Sequence, residues 1–173
     1  LVDFMGEVKT AEQAVQAPVY SHQAYDIVPG EVQLVDRPDI VLVEGLNVLQ
    51  TGDGGRATPV DATRPREPVR PRVFVSDFFD FSIYLDADED DIERWYVERF
   101  LMFRETVFRD PRSYFHRYAN LTDQEALSVA REIWRTINGV NLRENIKPTR
   151  ERARVVLEKG SDHAVRRVRL RRI

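Results

Sequence analysis

The sequence predicts a layered α/β domain, and three observations carry that expectation. Ile40 to Val43 and Phe81 to Leu85 are short apolar runs rich in β-branched residues, the pattern of strands buried on both faces in a parallel sheet. The segments 90–108 and 122–138 instead repeat their apolar residues at helical spacing. Strands alternating with long helices build layered α/β domains.

The opening "LVDFMGEVKT" reads as the middle of a helix and does not begin with Met, so the chain is expected to start inside a larger protein. "APVYSHQAYDIVPG", residues 17–30, is bracketed by Pro18 and by Pro29-Gly30. Proline removes a backbone donor and restricts its predecessor, so the stretch is expected to be an ordered loop. Its Tyr20, His22 and Tyr25 are three hydrogen-bonding rings in six positions, suited to holding hydroxyl or carboxylate groups. Glu44-Gly45 ends the first strand, where a carboxylate either pairs locally or meets a bound group at the carboxyl end of the sheet. Residues 51–72 are rich in Gly, Pro and Arg without periodicity, the composition of a flexible surface loop.

In the helix expected from Asp90 to Phe108, Ile92, Tyr96, Phe100, Phe103 and Val107 form one stripe, and acidic residues 86–90 suit its start. Arg99 shares that face; either its stem covers apolar surface or its head meets an anion. "DPRSYFHRYANL" then breaks the helix with a dense aromatic group. Most of that group suits a core, with Tyr114, His116 and Tyr118 as polar tips for a small amphipathic ligand. Thr122 and Glu125 match a capping box; Ala126, Ala130, Ile133 and Ile137 line one face, and Asn138-Gly139 reads as the stop. Val155 to Leu157 and Val165 to Leu170 read as strands joined by a turn at Gly160-Ser161-Asp162.

Composition narrows the function classes. The 173 residues suffice for one domain, and 26 Lys and Arg against 29 Asp and Glu leave a net charge of −3, which argues against a general nucleic-acid binder. The tail "HAVRRVRLRRI" concentrates five arginines in its last eight residues, but Val165, Val168 and Leu170 interleave with charge as in a half-solvated strand. With no cysteine there is neither a disulfide nor a thiolate site, and no apolar run approaches the ~20 residues that span a bilayer. A cytoplasmic setting is expected. The phosphate-cradling pattern G-x-x-x-x-G-K-[ST] occurs nowhere in the chain.

"PVYSHQAYDIVP", "PDIVLVEGLNVLQ", "VSDFFDFSIYLDA", "WYVERFLMFRETVF", "DPRSYFHRYANL" and "PTRERA", in that order, resemble the prokaryotic type I pantothenate kinases. The resemblance covers almost the whole chain and implies a homodimeric, three-layer P-loop kinase-like fold with a mainly parallel sheet, here truncated at its N-terminus. It implies transfer of the γ-phosphoryl group of ATP, with Mg²⁺, to pantothenate, the first step of coenzyme A synthesis, under feedback inhibition by coenzyme A. Carried over by position, Tyr20, His22 and Tyr25 match the loop that contacts pantothenate and the inhibitor's pantetheine arm. Tyr96, Phe103, Phe108, Tyr114, Phe115, Tyr118, Ile133, Ile137 and Asn138 match the surrounding pocket. Arg99 and Glu44 match groups near the phosphates, and His163 a residue near the adenine. No protein metal ligand is implied here. The family's phosphate cradle and its catalytic Asp are expected upstream of Leu1, so the chain alone is expected to be a poor kinase. The other reading is a module that binds pantothenate or coenzyme A without turnover.

Overall fold

The computed structural model describes residues 1–10, 13–52 and 72–172. The stretch expected as a flexible loop, 51–72, therefore lies outside the described residues except at its ends. The described residues form a mixed α/β structure with two small sheets and three principal helices.

Helix α1 (Val2–Thr10) buries Met5 and packs against strand β1 (Val15–Ser21) and the short turn of helix at Val75–Phe78. Lys9 reaches from its last turn to Asp80 at 2.9 Å. The stretch expected as a loop is instead a hairpin, in which β1 pairs antiparallel with β2 (Asp26–Val35). Pro18 does not prevent this, because both strands of a two-stranded sheet are edges and the register shifts between Pro18 and Tyr20. The tip turns through Tyr25, whose φ of 58° is left-handed.

Ile40 to Val43 forms no strand, contrary to expectation. Ile40 and Leu42 are 86% and 89% exposed, and among the described residues no neighbouring strand takes up their backbone groups. An apolar run becomes a buried strand only when a partner lies beside it.

The second sheet has the order β3–β4–β5, formed by Ile83–Asp86, Val155–Lys159 and Val165–Leu170. β3 and β4 are parallel and β4 and β5 antiparallel, the latter joined by the expected turn, where Gly160 N–H donates to the Ala164 carbonyl at 2.9 Å. Only β3/β4 is parallel among the described ladders, so the sheet is not mainly parallel here. β3 is not buried on both faces: Tyr84 is buried with Leu49, Ala153 and Val156, whereas Ile83 and Leu85 are exposed.

Helix α2 (Glu89–Glu105) starts at Asp88, whose carboxylate accepts from the Asp90 N–H at 3.0 Å, with Glu89, Asp90 and Asp91 in the first turn. It ends three residues before Phe108, which sits in a separate short turn, Val107–Arg109. Helix α3 (Asp123–Ile133) carries both halves of the Thr122–Glu125 capping box. Ala126 and Ala130 are fully buried against α2 with Phe100, Phe108 and Ala119, forming the main core.

The helical course does not stop at Asn138-Gly139. It continues through wider turns to Ile146 and a tighter turn, Lys147–Arg152. Gly139 keeps right-handed helical angles, and a Cβ there would lie 2.9 Å from the Trp134 carbonyl oxygen. This glycine serves close packing, not helix termination.

Candidate functional site

The hairpin tip and the segment after α2 meet along one aromatic wall. Tyr20 stands edge-on to His22 (5.2 Å between ring centroids) and to Tyr25 (6.3 Å). Tyr25 stacks on Tyr114 at 5.2 Å and meets the edge of Phe115 at 5.4 Å. The rings then continue inward: Phe115 lies 5.3 Å from Phe108 and 6.4 Å from Tyr118, while Phe103 lies 6.0 Å from Phe108. Edge-to-face and offset contacts of this kind stabilise beyond the area they bury. The wall grades from a buried end at Phe108 to an open one, where Tyr20, Tyr25 and Tyr114 are each about half exposed.

Polar tethers fix the tip against this wall. Tyr114 N–H donates to the Gln23 carbonyl at 3.0 Å, and the Gln23 amide donates to Asp110. Asp110 is itself held by Arg112, whose hydrogen bonds lower its carboxyl to about 2. His116 Nδ1 lies 2.9 Å from the Phe108 carbonyl, and the Arg117 guanidinium covers the Tyr114 and Tyr118 rings at 5.0 and 4.8 Å. Desolvation, with the nearby Tyr25 and Asp26, pushes the Tyr20 phenol above its ordinary value.

On α2 the site continues through Tyr96. Burial raises its phenol, and the Asn138 amide and Arg99 guanidinium oppose that rise. Tyr96 also packs against Trp134 at 5.8 Å. Arg99 is exposed and has no ion pair among the described residues. Ile133 packs on the main core, whereas Ile137, expected to line the same face, is 59% exposed because the helix widens between them.

Two expected residues stand apart. His163, in a left-handed turn, stacks on Trp95 at 4.1 Å, with Lys159 Nζ 4.9 Å over the same indole. Trp95 precedes Arg99 by one helical turn, so the two share a side of α2. Glu44 is exposed and contacts none of these groups.

Comparison with known proteins gives one consistent result. The chain is 54% identical over 176 residues to a protein named "Pantothenate kinase" from Afipia carboxidovorans. It is 55% identical over 172 residues to one so named from Pasteurella multocida, and 56% identical over 173 residues to one from Sorangium cellulosum. These matches cover 99–100% of the chain. The chain is a relative of the pantothenate kinases. It spans about half the length of those relatives, 50–51%. No family model matches it.

Several residues of this pantothenate kinase relative escaped the reading of its sequence. Gln23 and Arg117 clamp the wall but are single polar letters among aromatic ones. Arg104 is buried, donating to the Leu121 carbonyl at 3.0 Å and pairing with Glu105 and Asp123. Its place four residues after Phe100 on the inner stripe was the available signal. Arg150 bridges Asp86 and Glu158, register partners at the carboxyl ends of β3 and β4, at 2.6 and 2.8 Å. Lys147 pairs with Glu89 at 2.6 Å.

Proposed function

We propose that this chain forms the acceptor-binding part of a pantothenate kinase. In this reading the aromatic wall, with Tyr20, His22 and Tyr25 at its open end, binds pantothenate and the pantetheine arm of coenzyme A, the feedback inhibitor. The observation that carries it is the coincidence of similarity to pantothenate kinases over the length of this chain with one continuous aromatic surface built from the hairpin tip and residues 103–118. Pantothenate is a small amphipathic acid, and a wall with apolar depth and a rim of hydroxyl and imidazole groups suits it. Tyr96 and Asn138 would receive its polar end.

The nucleotide side rests on α2. Trp95, His163 and Lys159 form a flat cationic platform suited to a purine, and Arg99, without an ion pair among the described residues, lies one turn away and could meet a phosphate. ATP is the donor in this reading. Mg²⁺ finds no cage here: among the described residues no three His, Cys, Asp or Glu side chains gather, and Glu44 stands alone. The P-loop fold, the phosphate cradle, the homodimer, the cytoplasmic setting and a single domain over residues 1–173 belong to the same proposal.

The test is calorimetric titration of the chain with pantothenate and coenzyme A, beside an ADP-release assay of the chain alone and of the chain joined behind the remaining half of a relative. Binding by the chain, with turnover only in the joined protein, supports the acceptor reading. Binding without turnover in either form favours a non-catalytic module, and absence of binding overturns both. His22→Ala should relieve coenzyme A inhibition in the joined protein, and Arg99→Ala should cut turnover while leaving the thermal melt in place.

A further inference from the structure

The last five arginines divide into two groups. Arg166 pairs with Asp162 at 2.5 Å, and Arg167 and Arg169 pair with Glu158 at 3.4 and 2.6 Å. Arg171 and Arg172 pair with no carboxylate among the described residues. The division follows the sheet. Because β5 runs antiparallel to β4, its arginines lie beside the acidic carboxyl ends of β3 and β4, while the two arginines that follow it reach the opposite end.

At that opposite end Arg152, Arg154, Arg171 and Arg172 line a groove of about 450 Å³ with Ser76, Ser82 and the rings of Phe79 and Phe81. Among the described residues no Asp or Glu lines it. The Asp80 carboxylate feels Arg154 but is engaged by Lys9. Two of the forks are already positioned: Arg152 donates to the Leu49 carbonyl at 2.9 Å and to Ser76 Oγ at 3.2 Å, and Arg171 donates to the Glu151 carbonyl at 3.3 Å. A guanidinium has five N–H donors, so each keeps donors to spare. Four cations gathered with no carboxylate among the described lining residues repel one another, and a bound anion removes that cost.

We propose that this groove binds a small molecule carrying two or more adjacent phosphate groups. Guanidinium forks match phosphate oxygens in pairs, positioned forks lose little entropy on binding, and the volume suits a small ligand. A polynucleotide would need a continuous basic stripe, which the pairing of Arg166, Arg167 and Arg169 interrupts. The groove lies at the end of the sheet opposite Asp86 and Glu158, and the proposal does not depend on the acceptor reading.

The test is calorimetric titration of the chain with inorganic tripolyphosphate at about 0.15 M salt, where loose surface attraction is screened. One saturable site is expected. Arg154→Gln with Arg172→Gln should weaken it roughly tenfold or more and leave the thermal melt in place, since neither side chain makes a hydrogen bond among the described residues. Arg167→Gln with Arg169→Gln, an equal loss of charge on the same strand, should change affinity less than about twofold. Arg99→Gln should leave it unchanged, which separates this groove from the nucleotide side of the acceptor reading. Absence of saturable binding, equal weakening by the two double variants, loss with Arg99→Gln, equal affinity for sulfate, or binding of a short RNA in place of tripolyphosphate would each overturn the proposal.

Discussion

The α2–α3 half and the three-stranded sheet obtain their cohesion in different ways. Around α2 and α3, Phe100, Phe108, Ala119, Ala126 and Ala130 bury one another, and a second layer of rings closes over them. The sheet has a smaller core of Leu49, Tyr84, Ala153 and Val156, and beside it stand Arg150, Arg167 and Arg169 on Asp86 and Glu158. It also leaves Ile83, Leu85, Val168 and Leu170 at least half exposed. The difference teaches that apolar letters do not by themselves make a core. The helices find partners within the described residues, whereas the strands present apolar side chains that no described element covers.

The largest effect should come from Phe100→Ala, which removes a ring touching Phe108 and Tyr118 and leaves a cavity. A loss of about 3–5 kcal/mol is expected in denaturant unfolding. A loss below about 1 kcal/mol would place the main core elsewhere. Arg150→Met should cost about 2 kcal/mol, because Asp86 and Glu158 lose a shared charged donor while Arg169 remains on Glu158. If the melt rises instead, packing and not pairing holds the sheet.

A third prediction concerns the tether of the hairpin tip. The Asp110 carboxyl lies at about 2, below the ordinary value near 3.9 of an unfolded chain, so its contribution is complete above about pH 4 and lost as pH falls towards 2. Tyrosine near-ultraviolet dichroism should report loosening of the Tyr25–Tyr114 stack across that window, and Asp110→Asn should flatten the transition. A wild-type signal constant from pH 5 to 2 would detach the tether from Asp110. The smallest effect should be Leu42→Ser, within about 0.5 kcal/mol, since the side chain is 89% exposed. A loss comparable to that of Phe100→Ala would mean that Leu42 is buried in solution and would erase the contrast.

Much of the helical half was legible because its signals are local. The capping box at Thr122, the acidic start of α2 and the stripe through Phe100 each depend on residues within a few positions of one another. The aromatic group was visible as a candidate pocket wall, but its closure against the hairpin was not. Gln23 and Tyr114 are 91 positions apart and meet through a backbone hydrogen bond that no spacing encodes. The prolines misled in a specific way: Pro18 excludes a helix, but it does not exclude an edge strand with a register shift. Gly139 misled for a similar reason, since the letter is the same for a helix stop and for close packing against Trp134.

By itself, the sequence determined where helices start, which runs favour strands and where aromatic residues crowd together, because propensity and capping act over one or two turns. Tertiary structure alone decided that Ile40 to Val43 pairs with no strand among the described residues, that the first tyrosines sit on a hairpin, and that the terminal arginines divide between positions with and without a carboxylate partner among those residues. Each of those outcomes depends on what lies beside a segment in space, and burial and charge pairing are properties of neighbours, not of letters.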